Sequence, residues 1–164
     1  KACASALRSN PNVNVSWYGN KMIYHSDVNI GVAVAIEDGL VVPVIRSADQ
    51  KTLSQINAEV ADKATRAKNR KLGLDEMQGN TFTISNLGMF EIEEFTAIIN
   101  PPDSCILAVG SILKKPAVKN DQITISHRMK VTLSCDHRSV DGATGAKFLQ
   151  TLKGLLEQPI SLIL

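Results

Sequence analysis

The stretch SCDHRSVDG, at 134–142, holds the densest group of chemically active side chains in this sequence. The residues at 131–135 alternate between apolar and polar, which predicts a half-buried strand. A helical pattern begins near Gly142, so His137 lies at a strand-to-helix junction, where a side chain can point into a cleft. Histidine is the side chain whose unperturbed pKa suits proton transfer near neutral pH. His137 is therefore a candidate general base.

Other readings of the histidines and cysteines stay open at this point. A single histidine at a strand end with acidic neighbours is more often a hydrogen-bonded structural residue, and His25 and His127 are given that reading. Cys135 and His137, two positions apart, could form a thiolate nucleophile, but side chains so placed on one strand diverge more often than they pair. The scattered cysteines and histidines lack the spacing of metal ligands, so no metal site is predicted.

A second polar stretch, TISNLGMF at 83–90, resembles a strand that ends beside a glycine turn. Ser85 stands at this strand end, where its hydroxyl is a plausible donor to a developing oxyanion. On local grounds alone the simpler reading is a serine that caps the turn.

Composition restricts the classes of protein to consider. The chain has 164 residues, of which 44% are hydrophobic, enough for one globular domain with a core. Its net charge of +2 gives no sign of a nucleic-acid-binding face, and no apolar run is long enough for a membrane span. The three cysteines are an odd number, which favours a reducing compartment.

The order of predicted elements indicates an α+β fold. A first helix runs to about Asn10, and Asp-Gly at 38–39 predicts a hairpin. Pro43 indicates that the second arm of this hairpin is an edge strand or carries a bulge. Further helices are predicted at 53–71 and 142–158.

The pattern of the helix at 53–71 puts Leu53 on its apolar face and turns Lys63 away from that face. The chain begins within a helical pattern that has no cap residue, so we expect part of the fold to precede Lys1.

Several motifs together resemble the catalytic domain of the dihydrolipoamide acyltransferases, the E2 components of the 2-oxo acid dehydrogenase complexes. The family signature, Asp-His-Arg, two variable residues and Asp-Gly, stands here at 136–142. TISNLGMF (83–90), AIINPPDSCILAVG (97–110) and DGLVVPVIRSADQKTLSQI (38–56) resemble the same domain, in family order. The residues around Ser85 and Pro101 are most similar to those of the pyruvate type, the acetyltransferase.

The resemblance implies a chloramphenicol-acetyltransferase-like sandwich, with a mixed sheet flanked by helices. It implies acetyl transfer from an S-acetyl-dihydrolipoyl arm to coenzyme A, with His137 as the base toward the coenzyme A thiol. Ser85 would donate to the oxyanion, and Asp141 would hold the His137 loop. Residues that bind coenzyme A are not assigned. Succinyl or branched-chain acyl transfer, or a non-catalytic core of the same fold, are the alternatives.

The resemblance also implies an assembly and a setting. The domain at 1–164 would lack its N-terminal part, and the lipoyl and peripheral-subunit-binding domains would lie outside this chain. Homotrimers would form a cubic or dodecahedral core and bind E1 and E3 components through those absent domains. No nucleic-acid or membrane partner is expected, and the location is the bacterial cytoplasm or the mitochondrial matrix. Where the family usually has glycine after Met-Phe, this sequence has Glu91, so a changed loop backbone is expected there.

Overall fold

The computed structural model describes residues 1–162 and is built around a mixed β-sheet. The helices are α1 (Ala2–Ser9), α2 (Leu53–Lys68) and α3 (Gly142–Glu157). The strands are β1 (Val15–Tyr18), β2 (Lys21–Tyr24), β3 (Ile30–Val32), β4 (Val34–Ile36), β5 (Gly39–Val41), β6 (Val44–Ile45), β7 (Phe82–Asn86), β8 (Cys105–Val109), β9 (Leu113–Lys119), β10 (Gln122–Arg128) and β11 (Val131–Cys135). Short 3₁₀ turns occupy Pro11–Val13, Leu74–Met77, Gly88–Phe90 and Pro159–Leu162.

The central sheet has five strands in the order β11-β8-β7-β3-β6. Strands β3, β7 and β8 run parallel to one another, while β11 and β6 run antiparallel to their neighbours. Three two-stranded hairpins, β1–β2, β4–β5 and β9–β10, are attached to this sheet. The α+β class and the mixed sheet with flanking helices are thus confirmed.

The two faces of the sheet are covered differently. Helices α1 and α3 pack on one face, where the rings of Phe82 and Phe148 lie 5.4 Å apart. Because side chains alternate along a strand, Leu107 of β8 faces these helices, whereas Ile106 and Ala108 face the other way. That second face is covered by Ala97 and its extended neighbours.

The predicted hairpin at 38–39 is confirmed, since β4 and β5 pair antiparallel with Val34 opposite Val41. The predicted second arm is divided at Pro43 into β5 and β6, and the edge prediction is confirmed for β6. The strand after this proline, β6, lies at the edge of the central sheet. A proline cannot donate to the strand ladder, and here its carbonyl accepts from the backbone N–H of Val32.

Helix α2 begins where the sequence predicts but ends at Lys68, because Asn69 leaves the helical conformation. Its start is fixed by a capping box in which Thr52 and Gln55 exchange side-chain-to-backbone hydrogen bonds. The predicted faces were wrong at both Leu53 and Lys63. Leu53 is 49% exposed, while Lys63 is buried with its amine on the Val44 carbonyl and the Glu59 carboxylate. A lysine can lie on an apolar face when its amine finds such partners.

None of the described helices combines the length and the apolar character that a membrane span requires.

A buried carboxyl, Asp103, lies just before β8. Its Oδ2 accepts from Asn80 Nδ2 and from the Thr83 hydroxyl, each at 2.6 Å. Its Oδ1 is buried without a partner among the described residues. Burial raises the pKa of Asp103 to about 6, and the two hydrogen bonds only partly oppose this shift.

This raised pKa predicts a pH dependence of stability. Between about pH 4 and pH 6 the folded Asp103 holds a proton that the unfolded chain releases, so stability falls as the pH rises through that window. Asp103→Asn has no titrating group at this position, so its stability lacks this fall with rising pH. At pH 7 its free energy of unfolding is about 1–2 kcal/mol higher than that of the wild type. Urea unfolding of both proteins at pH 5 and pH 8, at one protein concentration, measures the difference. If the wild type loses no more stability than the variant between pH 5 and pH 8, this prediction is contradicted.

Candidate active site

The loop that carries His137 is a tight turn between β11 and α3. The carbonyl of Asp136 accepts from the backbone N–H groups of Ser139 and Val140, at 3.0 and 2.9 Å. Val140 is only 1% exposed and anchors the turn in the core. His137 itself is exposed, and none of the described residues makes a hydrogen bond to its ring. A rigid backbone therefore presents an imidazole that is free to meet a substrate.

Arg138 fixes the outer side of this loop. Its guanidinium makes two-pronged hydrogen bonds to Asp136, the shortest 2.6 Å, and its centre lies 5.0 Å from the ring centroid of Trp17. These bonds lower the pKa of Asp136 and raise that of Arg138. This pair makes Arg138 a structural partner of Asp136. The contact with Trp17 ties the loop to the β1–β2 hairpin.

Asp141 lies at the other end of the loop, as the N-cap of α3. Its Oδ1 accepts from the backbone N–H of Thr144 at 2.7 Å. This bond is the main reason that the pKa of Asp141 is lowered, and the nearby His137 adds a smaller effect. The carboxylate thus fixes where the loop ends and the helix begins.

Two serines that sequence reasoning missed hold the inner side of the loop. The Ser139 hydroxyl donates to that of Ser104 at 2.7 Å, and the Ser104 carbonyl accepts from the backbone N–H of Asp136 at 2.8 Å. Ser104 is completely buried just before β8. Its place beside β11 follows from strand pairing, which no local sequence pattern reveals. Trp17 was missed for the same reason.

Ser85 lies near the end of β7, half-buried, and its hydroxyl has no hydrogen-bond partner among the described residues. It is therefore not the turn cap that local reasoning favours. That role belongs to Asn86, whose Oδ1 accepts from the N–H of Gly88 at 2.8 Å. The Ser111 hydroxyl lies 2.9 and 3.0 Å from the carbonyls of Gly88 and Ile92 and holds the following loop.

The backbone after Ser85 has two special positions. Glu91 adopts φ 60° and ψ 20°, the left-handed conformation that glycine favours, so glutamate occupies a glycine-like backbone here. Gly110 allows the loop to lie close, since a Cβ at this position would stand 2.0 Å from the Glu93 carbonyl oxygen. The loop is thus packed directly against the end of β8.

Ser85 and His137 do not come together within one chain. Ser85 pairs with Ala108 on the neighbouring strand β8, and Ala108 pairs in turn with Thr132 on β11. From Thr132 to the end of β11 at Cys135 the chain runs three residues further, about 10 Å along the strand direction, and His137 lies in the turn beyond that end. The two side chains therefore lie toward opposite ends of the central sheet.

The other histidines and cysteines make no second centre among residues 1–162. His25 Nε2 lies 2.7 Å from the Ser16 hydroxyl, which confirms its structural reading. His127 is exposed on β10 and its ring has no hydrogen-bond partner among the described residues, so the structural reading of this histidine was wrong. Cys135 contacts the sulfur of Cys105 rather than His137, so the thiolate–histidine pair finds no support. No cluster of potential metal ligands occurs among these residues.

A polar cavity of about 650 Å³ opens at the His137 end of the sheet. It is lined by Tyr18, Tyr24, His25, Arg46, Asn80 and Asn100, among others. Tyr18 follows Trp17, the residue on which Arg138 stacks, so the β1–β2 hairpin forms part of the cavity wall and also supports the His137 loop. This volume lies in the range of small-molecule sites.

Comparison with known sequences gives one consistent relationship. The family model of the 2-oxoacid dehydrogenases acyltransferase (catalytic domain) matches residues 1–164. The chain is 52% identical over 163 residues to the dihydrolipoyllysine-residue acetyltransferase component of the pyruvate dehydrogenase complex of Rickettsia bellii, covering 99% of this chain and 39% of that protein. The mitochondrial component 2 of Arabidopsis thaliana is 48% identical over 167 residues, covering 100% of this chain and 31% of that protein. The chain thus spans well under half of these relatives.

Solved structures share the same fold. Azotobacter vinelandii dihydrolipoamide acetyltransferase, studied for the roles of a serine, a histidine and an asparagine in its catalytic mechanism, matches with a TM-score of 0.95 at 40% identity, covering 100% of this chain and 68% of that one. The cubic core of the pyruvate dehydrogenase multienzyme complex matches with 0.95 at 41% identity and the same coverage.

Chloramphenicol acetyltransferase matches with a TM-score of 0.56 at 15% identity, covering 94% of this chain and 74% of that one, which confirms the sandwich fold predicted from the sequence. Because the family model matches residues 1–164 of this chain, the chain belongs to the 2-oxoacid dehydrogenases acyltransferase family, and the match lies in the catalytic domain of that family.

Proposed function

We propose that this chain transfers an acetyl group from an S-acetyl-dihydrolipoyl arm to the thiol of coenzyme A, as the core of a pyruvate dehydrogenase complex. The observation that carries the proposal is the exposed His137, held on a rigid loop with no partner in its own chain. The relatives named for this activity support the acetyl group over other acyl groups. Ser85, His137 and Asp141 also have the same separations in sequence as the serine, histidine and asparagine studied in the Azotobacter protein.

His137 takes the proton from the coenzyme A thiol, because the thiolate is the form that attacks a thioester. Attack produces a tetrahedral intermediate whose oxygen carries negative charge, and the free hydroxyl of Ser85 donates to this oxygen. When the intermediate collapses, the dihydrolipoyl sulfur leaves and receives the proton from His137. One thioester is exchanged for another, so protons and acyl group balance.

Asp141 acts through position in this mechanism. Its carboxylate caps α3, which keeps the loop from His137 to the helix in one conformation. The nearby His137 makes a small contribution to the lowered pKa of Asp141, which places the two side chains at the same end of the loop.

The separation of Ser85 and His137 supports a site that is completed between chains. In a homotrimer each interface is heterologous, so one chain offers its His137 end and the next chain its Ser85 end. We place such trimers in a cubic or dodecahedral core, with E1 and E3 components bound through lipoyl-containing and subunit-binding segments outside this chain. The setting is the bacterial cytoplasm or the mitochondrial matrix.

The first prediction concerns the base. His137→Ala lowers the rate of acetyl transfer at least about a hundredfold, because the thiol loses its proton acceptor. Steady-state assays with acetyl-dihydrolipoamide and coenzyme A measure this, with circular dichroism and sedimentation to check fold and assembly. His127→Ala, on the exposed hairpin, is the matched control and keeps the wild-type rate. Near wild-type transfer by an assembled His137→Ala protein contradicts the assignment.

The second prediction concerns the oxyanion donor. Ser85→Ala lowers kcat by about a hundredfold with little change in the KM for coenzyme A, since the hydroxyl acts chiefly in the transition state. Ser126→Ala, a half-buried serine on β10, serves as the control. If KM rises and kcat stays intact, Ser85 binds substrate instead.

The third prediction tests the shared site directly. His137→Ala and Ser85→Ala chains, denatured and refolded together in equal amounts, leave about a quarter of the interfaces with both residues intact. Transfer activity then recovers toward that fraction of wild type, whereas each variant refolded alone stays inactive. Mixed trimers whose activity never exceeds that of the separate variants would place both residues in one subunit's site.

A further inference from the structure

Cys105 and Cys135 stand directly opposite each other on β8 and β11. The backbone N–H of Asp136 bonds to the carbonyl of Ser104, one residue beyond this pair. In an antiparallel ladder that arrangement makes Cys105 and Cys135 a non-hydrogen-bonded pair, in which the Cα atoms approach to about 4.5 Å and the side chains are closest. A disulfide needs Cα atoms about 4.4–6.8 Å apart, so the backbone already meets this requirement.

The side chains also face each other. The Cys105 thiol donates to the Cys135 sulfur across 3.4 Å. Cys105 is completely buried, whereas Cys135 is half-buried and can be reached from the surface. The remaining cysteine, Cys3, lies on α1 and takes no part in this contact. The chain therefore holds one preformed dithiol with one buried and one accessible sulfur.

We propose that Cys105 and Cys135 form a reversible disulfide under peroxide stress, and that this disulfide slows acyl transfer by displacing the His137 loop. The site is a redox-sensitive modification site within the sheet. Its effect on transfer rests on the proposed function, whereas its formation does not.

The chemistry balances with hydrogen peroxide as the oxidant. The Cys135 sulfur attacks one peroxide oxygen, which gives a sulfenic acid and releases one water molecule. The Cys105 sulfur then attacks the sulfenic sulfur, forms the S–S bond and releases a second water. The hydrogen bond from Cys105 lowers the pKa of Cys135, which favours Cys135 as the first sulfur to react. That same bond and, after it, burial raise the pKa of Cys105.

The link to the active site is short. Cys135 is two residues before His137, and a Cβ on Gly145 of α3 would lie 3.4 Å from the Cys135 sulfur. Forming the bond brings the sulfurs from 3.4 Å to about 2.05 Å, so the Cys135 side chain turns toward Cys105 and its packing against Gly145 at the start of α3, beside the His137 loop, changes. A displacement of about 1 Å at a catalytic group is enough to lower a rate by tenfold or more.

The first experiment detects the bond itself. The assembled full-length protein is treated with hydrogen peroxide, its free thiols are blocked with N-ethylmaleimide, and its peptides are examined by mass spectrometry. A peptide pair joined through Cys105 and Cys135, absent after dithiothreitol, is the expected product. Cys3→Ala still forms it, and Cys105→Ala does not. Oxidation that stops at a Cys135 sulfinic acid, or thiols that remain unreacted, overturns the proposal.

The second experiment measures the consequence. Peroxide lowers acetyl transfer by wild-type protein about tenfold, and dithiothreitol restores it, whereas Cys105→Ala keeps its own untreated rate after peroxide. A disulfide that forms without changing the rate overturns the regulatory part of the proposal. Protein without transfer activity before treatment refutes the proposed function instead, and the mass spectrum still decides whether the disulfide forms.

Discussion

The antiparallel pairing of β8 with β11 is the interaction on which the rest of the site depends. It places the buried Ser104 beside Asp136, where a backbone hydrogen bond between these two residues holds the chain at the end of β11. The turn that follows is closed by Val140 in the core and by the Asp141 cap of α3. Each of these contacts removes freedom from the backbone around His137 and leaves its ring unengaged. The proposed role of His137, as a base that meets a second molecule, benefits from this combination.

Much of this arrangement could be predicted because it is local. The alternation at 131–135, the Asp-Gly turn and the helical period after Gly142 depend on neighbours in sequence, and the structure follows all three. The exposed histidine at the junction of strand and helix follows from the same patterns. The likeness to a known family added the expected roles of the residues.

The contacts that were missed or misread connect distant parts of the chain. Trp17 meets Arg138, and Ser104 meets Ser139, only because the sheet brings them together. Lys63 was assigned to the wrong face because helical periodicity counts a lysine as polar, while its amine here reaches the carbonyl of Val44. At Glu91 the loop adopts a conformation that glycine favours although glutamate occupies it, so packing around the loop prevails over local preference.

The two ends of the sheet are ordered independently of each other. The His137 loop is held by Arg138, Ser139 and Asp141, while the Ser85 end is held by Asn86 and Ser111. Neither set of contacts reaches the other end of the sheet, so each half of the proposed shared site is ordered within its own chain. Association then need not order flexible loops, which is one of the main entropic costs of forming an interface. A catalytic centre divided between rigid halves can thus be completed by docking alone.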